Sequence, residues 1–256
     1  MNAIPPSAPM SDATAVPVRG DLAVIGCGLR LPGSLSSLPE LWAFLQRGGD
    51  GICDLPEGRW TNDLFDPRPR PGRSYVNRAG YVEGLELIDA SFLGCSPREA
   101  GQIDPQQRLL IETAYEALEN AGEPLNKLSK TRTGVFVGIS SNDYIQAMND
   151  DPRRGNAYTN SGGALSIAAN RISYVFDLRG PSLAIDTACS SGLTAFDMAV
   201  RSLRQGACEV AIVGAANALF RPEPFVGFCQ ATMLSPAAQC RAFDADGQGF
   251  VRAEGA

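Results

Sequence analysis

The chain has 256 residues, 44% hydrophobic and 20% charged, and carries a formal net charge of −6 from 22 Lys and Arg against 28 Asp and Glu. That composition excludes a disordered or collagen-like chain, and the acidic balance excludes a basic nucleic-acid-binding footprint. There is no histidine, which removes Ser-His-Asp and Cys-His pairs, HExxH zinc sites and C2H2 fingers within this sequence.

Residues 1 to about 19 are rich in Pro, Ala and Ser and are read as a flexible leader or linker. They show no basic start and no apolar h-region, so neither a signal peptide nor a membrane span is expected there. Leu22 to Ile25 is a short apolar run stopped by Gly26, which suits a buried strand. Gly26-Cys27-Gly28 invites a dinucleotide-loop reading, but Leu31 occupies the place of the third glycine and the fingerprint fails. Ser37 to Gln46 reads as a helix with Pro39 in its first turn and Gly48-Gly49 after its end. Residues 50–80 carry many Pro, Gly and Arg and read as a long surface excursion. Arg68, Arg70 and Arg73 make it the locally basic segment, suited to meeting an acidic partner.

Asp104 then reads as a helix cap, with Pro105 in the first helical position and Gln107 where a capping-box partner would sit. Leu110, Ala114, Ala117, Leu118 and Ala121 recur at helical spacing, and Gly122 closes the helix. Gly134 to Gly138, Leu183 to Ile185 and Val210 to Gly214 read as buried strands. Ile167 to Phe176 reads as a helix, and so does the stretch after Gly192 as far as Gln205. Strands alternating with helices imply an α/β fold with a largely buried sheet. No apolar run reaches the ~18–20 residues of a membrane span. The seven cysteines form no CxxC pair and are odd in number, which fits a reducing compartment and a cytoplasmic protein.

The chemistry concentrates at Asp186-Thr187-Ala188-Cys189-Ser190-Ser191-Gly192. A strand ends, a turn of small residues follows, and an apolar helix begins, which is the layout of a nucleophile elbow. Unpaired N–H groups and the dipole at a helix N-terminus favour a thiolate, the reactive form of cysteine, and stabilise an oxyanion on an attacked carbonyl. The apolar residues that follow predict a buried helix with Cys189 at the floor of a pocket. The competing reading is a small buried hydrophobe, the ordinary role of a free cysteine. Cys27 and Cys208 are given that role, as core or strand-end residues.

The string DTACSSG, preceded by NRISYVFDLRGPS, resembles the active-site region of β-ketoacyl synthases. The resemblance is strongest to the ketosynthase domains of type I modular polyketide synthases. DLAVIGCGLRLPG, SFLGCSPREAGQIDPQQRLLIETAYEALENAG, TGVFVGISSNDY, EVAIVGAAN, and MLSP followed by RAFDADGQGFVRAEGA match in order, so it runs from Asp21 to Ala256. It implies a thiolase-like fold, layered α-β-α-β-α, of which the chain is the N-terminal half, truncated, with residues 20–256 forming the domain. It implies that Cys189 accepts an acyl group from a thioester. A malonyl-type extender on an acyl carrier protein is then decarboxylated and condensed with it, as in polyketide or fatty-acid assembly. Ser141 and Phe228 align with positions that line the acyl pocket; ordinary turn and core packing are the alternatives there. No metal or resident cofactor is implied, because phosphopantetheine is carried by the acyl carrier protein. A homodimer, with the strand before Cys189 near its two-fold axis, and contact with other synthase domains are implied as well. Nucleic acid and membrane are not among the expected partners. The family draws two histidines and a lysine from later in its chain. Two further readings therefore stand beside condensation: a non-catalytic fragment that dimerises or binds a carrier protein, and another enzyme of the thiolase fold.

Overall fold

The computed structural model describes residues 20–256, so the leader expected over residues 1–19 lies outside the described residues. In chain order the elements are α1 (Leu38–Gln46), β1 (Ile52–Asp54), β2 (Arg78–Gly80), α2 (Pro97–Ala100), α3 (Pro105–Ala121), α4 (Leu125–Leu128) and β3 (Thr133–Gly138). They continue with α5 (Asp143–Asn149), α6 (Thr159–Gly163), α7 (Ile167–Val175), β4 (Ser182–Ile185), α8 (Ser191–Arg204), β5 (Val210–Ala215) and α9 (Glu223–Gln230).

A three-stranded parallel sheet of order β4-β3-β5 forms the centre, with Val137 opposite Ala184 on one side and Gly214 on the other. Side chains alternate across β3. Val135 and Val137, with Ile139 just beyond the strand, join Leu110, Ile111, Ala168, Ala169 and Ile172 of α3 and α7 in one core. Phe136 points the other way, into a second core with Ile185, Ala195, Ala199 and Cys208 beneath α8. The result is an α-β-α sandwich, as the alternating pattern implies. β3 is buried throughout, whereas β4 and β5 are only partly buried.

The predicted helix signals work as capping physics requires. Ser37 Oγ accepts from the Glu40 N–H, and Asp104 caps α3 by accepting from the Gln106 N–H at 2.8 Å. Gly122 ends α3 at φ 70, in the left-handed region. Gln107 is not a capping-box partner. Its Nε2 donates to Gly162 O at 2.8 Å and its Oε1 accepts from Arg171 Nε at 2.8 Å, which ties α3 to α6 and α7.

Four expectations are corrected. Leu22 to Ile25 forms no strand, and Val24 is 77% exposed. The segment lies on α3 through glycine backbone instead: a Cβ on Gly26 would stand 2.1 Å from Ala117 O. Cys27, in the same stretch, is exposed, whereas Cys208 is buried as expected. Residues 50–80 are more than a surface excursion, because β1 and β2 pair antiparallel there and Val76 and Ala79 enter a core with Phe225 and Leu234. The helix after Cys189 is not buried all round. Its small residues Ser191, Ala195, Ala199 and Ser202 face the sheet, and this leaves Leu193 80% and Phe196 47% exposed on the other side.

The fold depends on a close approach at the end of β3. A Cβ on Gly138 would meet Gly192 N and the Ser191 carbonyl carbon at 2.5 Å, so the strand abuts the first turn of α8. Gly138→Ala is predicted to lower the unfolding free energy by about 1–3 kcal/mol, since backbone must move to admit the methyl. Urea unfolding checks this; an unchanged midpoint and slope would contradict the approach.

Candidate active site

β3 connects through α7 to β4 on one side, and β4 connects through α8 to β5 on the other. The two helices lie on opposite faces, so the carboxyl ends of the strands form a switch point, where open α/β sheets bind ligands. Three loops meet there: Ile139 to Asn142, Asp186 to Ser190, and Ala216 to Ala218. Ile139 N–H donates to Ile185 O at 3.0 Å and Ala216 N–H to Gly138 O at 3.2 Å, which pins the strand ends together.

Cys189 lies in the middle loop, one residue before the N-cap of α8, and is exposed. It is not at the floor of a pocket among the described residues; the small-residue face of α8 seats the helix against the sheet and leaves its tip open. The turn is held by hydroxyls. Ser191 Oγ accepts from the Thr187 N–H at 2.9 Å and donates to Ala188 O at 2.6 Å. Ser190 Oγ donates to Thr187 O at 2.8 Å, and Asp186 Oδ1 accepts from the Ala188 N–H at 3.0 Å. Ala188 takes φ 56, a left-handed conformation that costs an L-residue about 1 kcal/mol. Ser190 makes no side-chain cap to α8, because its hydroxyl turns back to Thr187. Ser191 N–H donates to Ala188 O at 3.0 Å, and the N–H groups of Gly192 and Leu193 in the first turn of this 14-residue helix are left without a side-chain acceptor beside Cys189. Such donors suit an oxyanion on a carbonyl attacked by Sγ.

Ser141 stands in the neighbouring loop. Its Oγ donates to Ala218 O at 3.2 Å, joining the loops after β3 and β5. Phe228 lies on α9, half-buried, edge-on to Phe250 with ring centroids 5.4 Å apart. Among the described residues no hydrogen bond or ring contact links Cys189 to Ser141 or Phe228. In the basic segment one carboxylate, Asp66, pairs with both Arg68 and Arg70, each at 3.2 Å, and Arg73 donates to the backbone carbonyl of Asp63. No group of acidic, cysteine or histidine side chains suited to a metal occurs among the described residues, and no described helix is long and apolar enough to cross a membrane.

Two supporting groups carry no visible sign in the sequence. Gln106 Nε2 donates to Ser141 O at 2.9 Å and to both oxygens of Asp104. Glu254 is wholly buried and accepts from the N–H groups of Val82 and Leu219 and from Arg59 at 3.0 Å. Apart from Asp104, two residues before Gln106, their partners are distant in sequence, so no local pattern marks those contacts.

Residues 20–256 match the family described as Beta-ketoacyl synthase, N-terminal domain. The chain belongs to that family. This ketosynthase chain is 44% identical over 246 residues to the spectinabilin polyketide synthase system protein NorC of Streptomyces orinoci, covering 94% of this chain and 11% of the relative. It is also 44% identical to one of the phenolphthiocerol/phthiocerol polyketide synthase subunits of Mycobacterium tuberculosis, covering 97% of this chain and 14% of that one. The oxazolomycin ketosynthase domain of Streptomyces albus superposes with a TM-score of 0.85 at 38% identity, covering 91% of this chain and 40% of that one. The ketosynthase from module 6 of the bacillaene synthase of Bacillus subtilis 168 gives 0.79 at 35% identity, covering 91% and 38%. The thiolase-like fold is thereby established. The α-β-α sandwich is one part of it, since the chain spans less than half of the ketosynthases it matches.

Burial pushes the Asp104 carboxyl from 3.8 up to about 6, against the hydrogen bonds from Gln106 that favour its charge. Asp104 therefore binds its proton more tightly folded than unfolded, and its contribution to stability falls as pH rises through that window. Relative to Asp104→Asn, which keeps an acceptor for the Gln106 N–H, the native chain is predicted to lose on the order of 2 kcal/mol between about pH 4 and pH 7. Urea unfolding at both pH values reads the difference; a gap that does not change with pH contradicts it.

Proposed function

We propose that this chain supplies the acyl-accepting half of a ketosynthase in polyketide or fatty-acid assembly, with Cys189 as the nucleophile. The observation that carries the reading is the exposed thiol beside the uncapped N-terminus of α8, at the carboxyl ends of three parallel strands. The Cys189 thiolate attacks the carbonyl of an acyl thioester. The first-turn N–H groups stabilise the tetrahedral oxyanion, and the departing thiolate leaves an acyl group on Sγ. A malonyl-type thioester on an acyl carrier protein then loses carbon dioxide. Its enolate carbon attacks the acyl carbonyl, the new carbon–carbon bond forms, and Cys189 leaves as thiolate. The chain has no histidine, so acid–base help for decarboxylation falls to groups outside these residues.

On this reading Ser141 and Phe228 line the acyl pocket, no cofactor resides in the chain, and phosphopantetheine enters as part of the carrier-bound substrate. The homodimer fits the outer edge of β4, unpaired among the described residues, and its Leu183, 40% exposed. The relatives that match are named as polyketide synthases, which favours this chemistry over another thiolase-fold reaction.

The experiment is condensation by the full-length protein that carries this sequence, supplied with an acyl thioester and a malonyl-loaded carrier protein. Cys189→Ala is predicted to reduce the β-ketoacyl product to below about a thousandth of the native rate. Product formation that survives the substitution would refute the nucleophile. Absence of product from the native protein would favour the reading in which the chain binds without turning over.

A further inference from the structure

Arg252 is an arginine without an acid. Among the described residues its side chain makes no salt bridge and no hydrogen bond to oxygen, and its Nη1 is buried without a partner. Its guanidinium instead lies over two aromatic rings, 4.7 Å from the Phe225 centroid and 5.4 Å from that of Phe228. The faces of the two rings stand in for an opposite charge, and such a cation–π contact strengthens when water is excluded. Burial opposes the charge, and Asp143 favours it from beyond hydrogen-bonding distance.

The backbone under Arg252 is fixed on both sides. Gly80 N–H donates to Arg252 O at 3.0 Å and Glu254 N–H to Gly80 O at 2.8 Å, while Phe250 exchanges hydrogen bonds with Met233 O and the Ser235 N–H, each at 2.9 Å. Phe228 is therefore held by the guanidinium and by the edge contact with Phe250. Two other features carry less. The large cleft bordered by Arg59, Arg108 and Tyr81 has its unpartnered Arg108 Nε and Tyr81 hydroxyl buried, out of a ligand's reach. The apolar side of α1, with Trp42 and Leu45, has nothing to say what covers it.

We propose that Arg252 is a positioning residue for the acyl pocket, fixing the Phe228 ring and thereby the length of acyl chain accepted at Cys189. The inference rests on the reading of Phe228 as a pocket wall. With the ring locked, the wall discriminates against long chains; with the ring released, it yields to them.

The test uses the full-length protein and measures acylation of the Cys189 peptide by mass spectrometry, with acetyl- and octanoyl-N-acetylcysteamine as donors. Arg252→Met keeps much of the apolar stem and removes the charge. It is predicted to raise the octanoyl-to-acetyl rate ratio about tenfold, the size expected for loss of a desolvated cation–π contact. Phe228→Ala should raise the ratio at least as much. If Phe228→Ala leaves the ratio unchanged, the pocket reading itself falls, and the proposal with it. If Phe228→Ala shifts the ratio and Arg252→Met does not, or slows both donors equally, Arg252 is structural and the proposal alone is overturned. Should Arg252→Met not fold, Phe225→Leu, which removes the second ring, carries the test: a shift of about threefold in the same direction supports the proposal, and an unchanged ratio overturns it.

Discussion

The contact between the end of β3 and the first turn of α8 governs the placement of everything else at the site. Gly138 has no room for a side chain because the Ser191–Gly192 peptide occupies that space. With the helix start fixed against the central strand, the residues between β4 and α8 must turn within a few peptides. Ala188 accepts a left-handed φ to do so, and the hydroxyls of Thr187, Ser190 and Ser191 satisfy the turn locally. Cys189 is the member of it with a strong nucleophilic atom, and it lies beside N–H groups that no side chain caps.

Around this core contact the molecule divides into two kinds of support. Apolar packing fixes the sheet: Phe136 faces α8, and Val135 and Val137 face α3 and α7. Buried polar groups fix the loops. The Asp104–Gln106 pair holds the Ser141 backbone, and Glu254 gathers Val82, Leu219 and Arg59. A buried charge is tolerated only where hydrogen bonds or an opposite charge meet it, and Glu254 has both. Arg252 follows a different route, with aromatic faces replacing an acid.

Much of this is legible in the sequence. β3, β4 and β5 are short apolar runs bounded by glycine or polar residues, and their spans agree with expectation within about two residues. The ends of α3 follow from Asp104, Pro105 and Gly122, because caps are local chemistry. The position of Cys189 at a strand–turn–helix junction is likewise local. The orientation of α8 is not. Ser191, Ala195, Ala199 and Ser202 form a stripe of small residues that lets the helix sit close to the sheet, so the larger Leu193 and Phe196 fall outside. A count of apolar residues misses that geometry. The run from Leu22 to Ile25 has the composition of a strand, but the backbone of Gly26 and Gly28, just after it, lies against α3. The bond from Gln106 to Ser141 and the stacking of Arg252 on Phe225 and Phe228 are invisible in the sequence because folding alone brings those partners near.

The central claim is that the placement of Cys189, not its exposure alone, makes it the reactive thiol. Cys27 and Cys53 are also exposed and supply an internal control. The direct measurement is a series of brief iodoacetamide pulses on the folded protein, with the modified peptides quantified by mass spectrometry. The account predicts that Cys189 is alkylated about tenfold faster than Cys27 and Cys53, because it lies beside first-turn N–H groups that no side chain caps. Equal rates at the three thiols would contradict it.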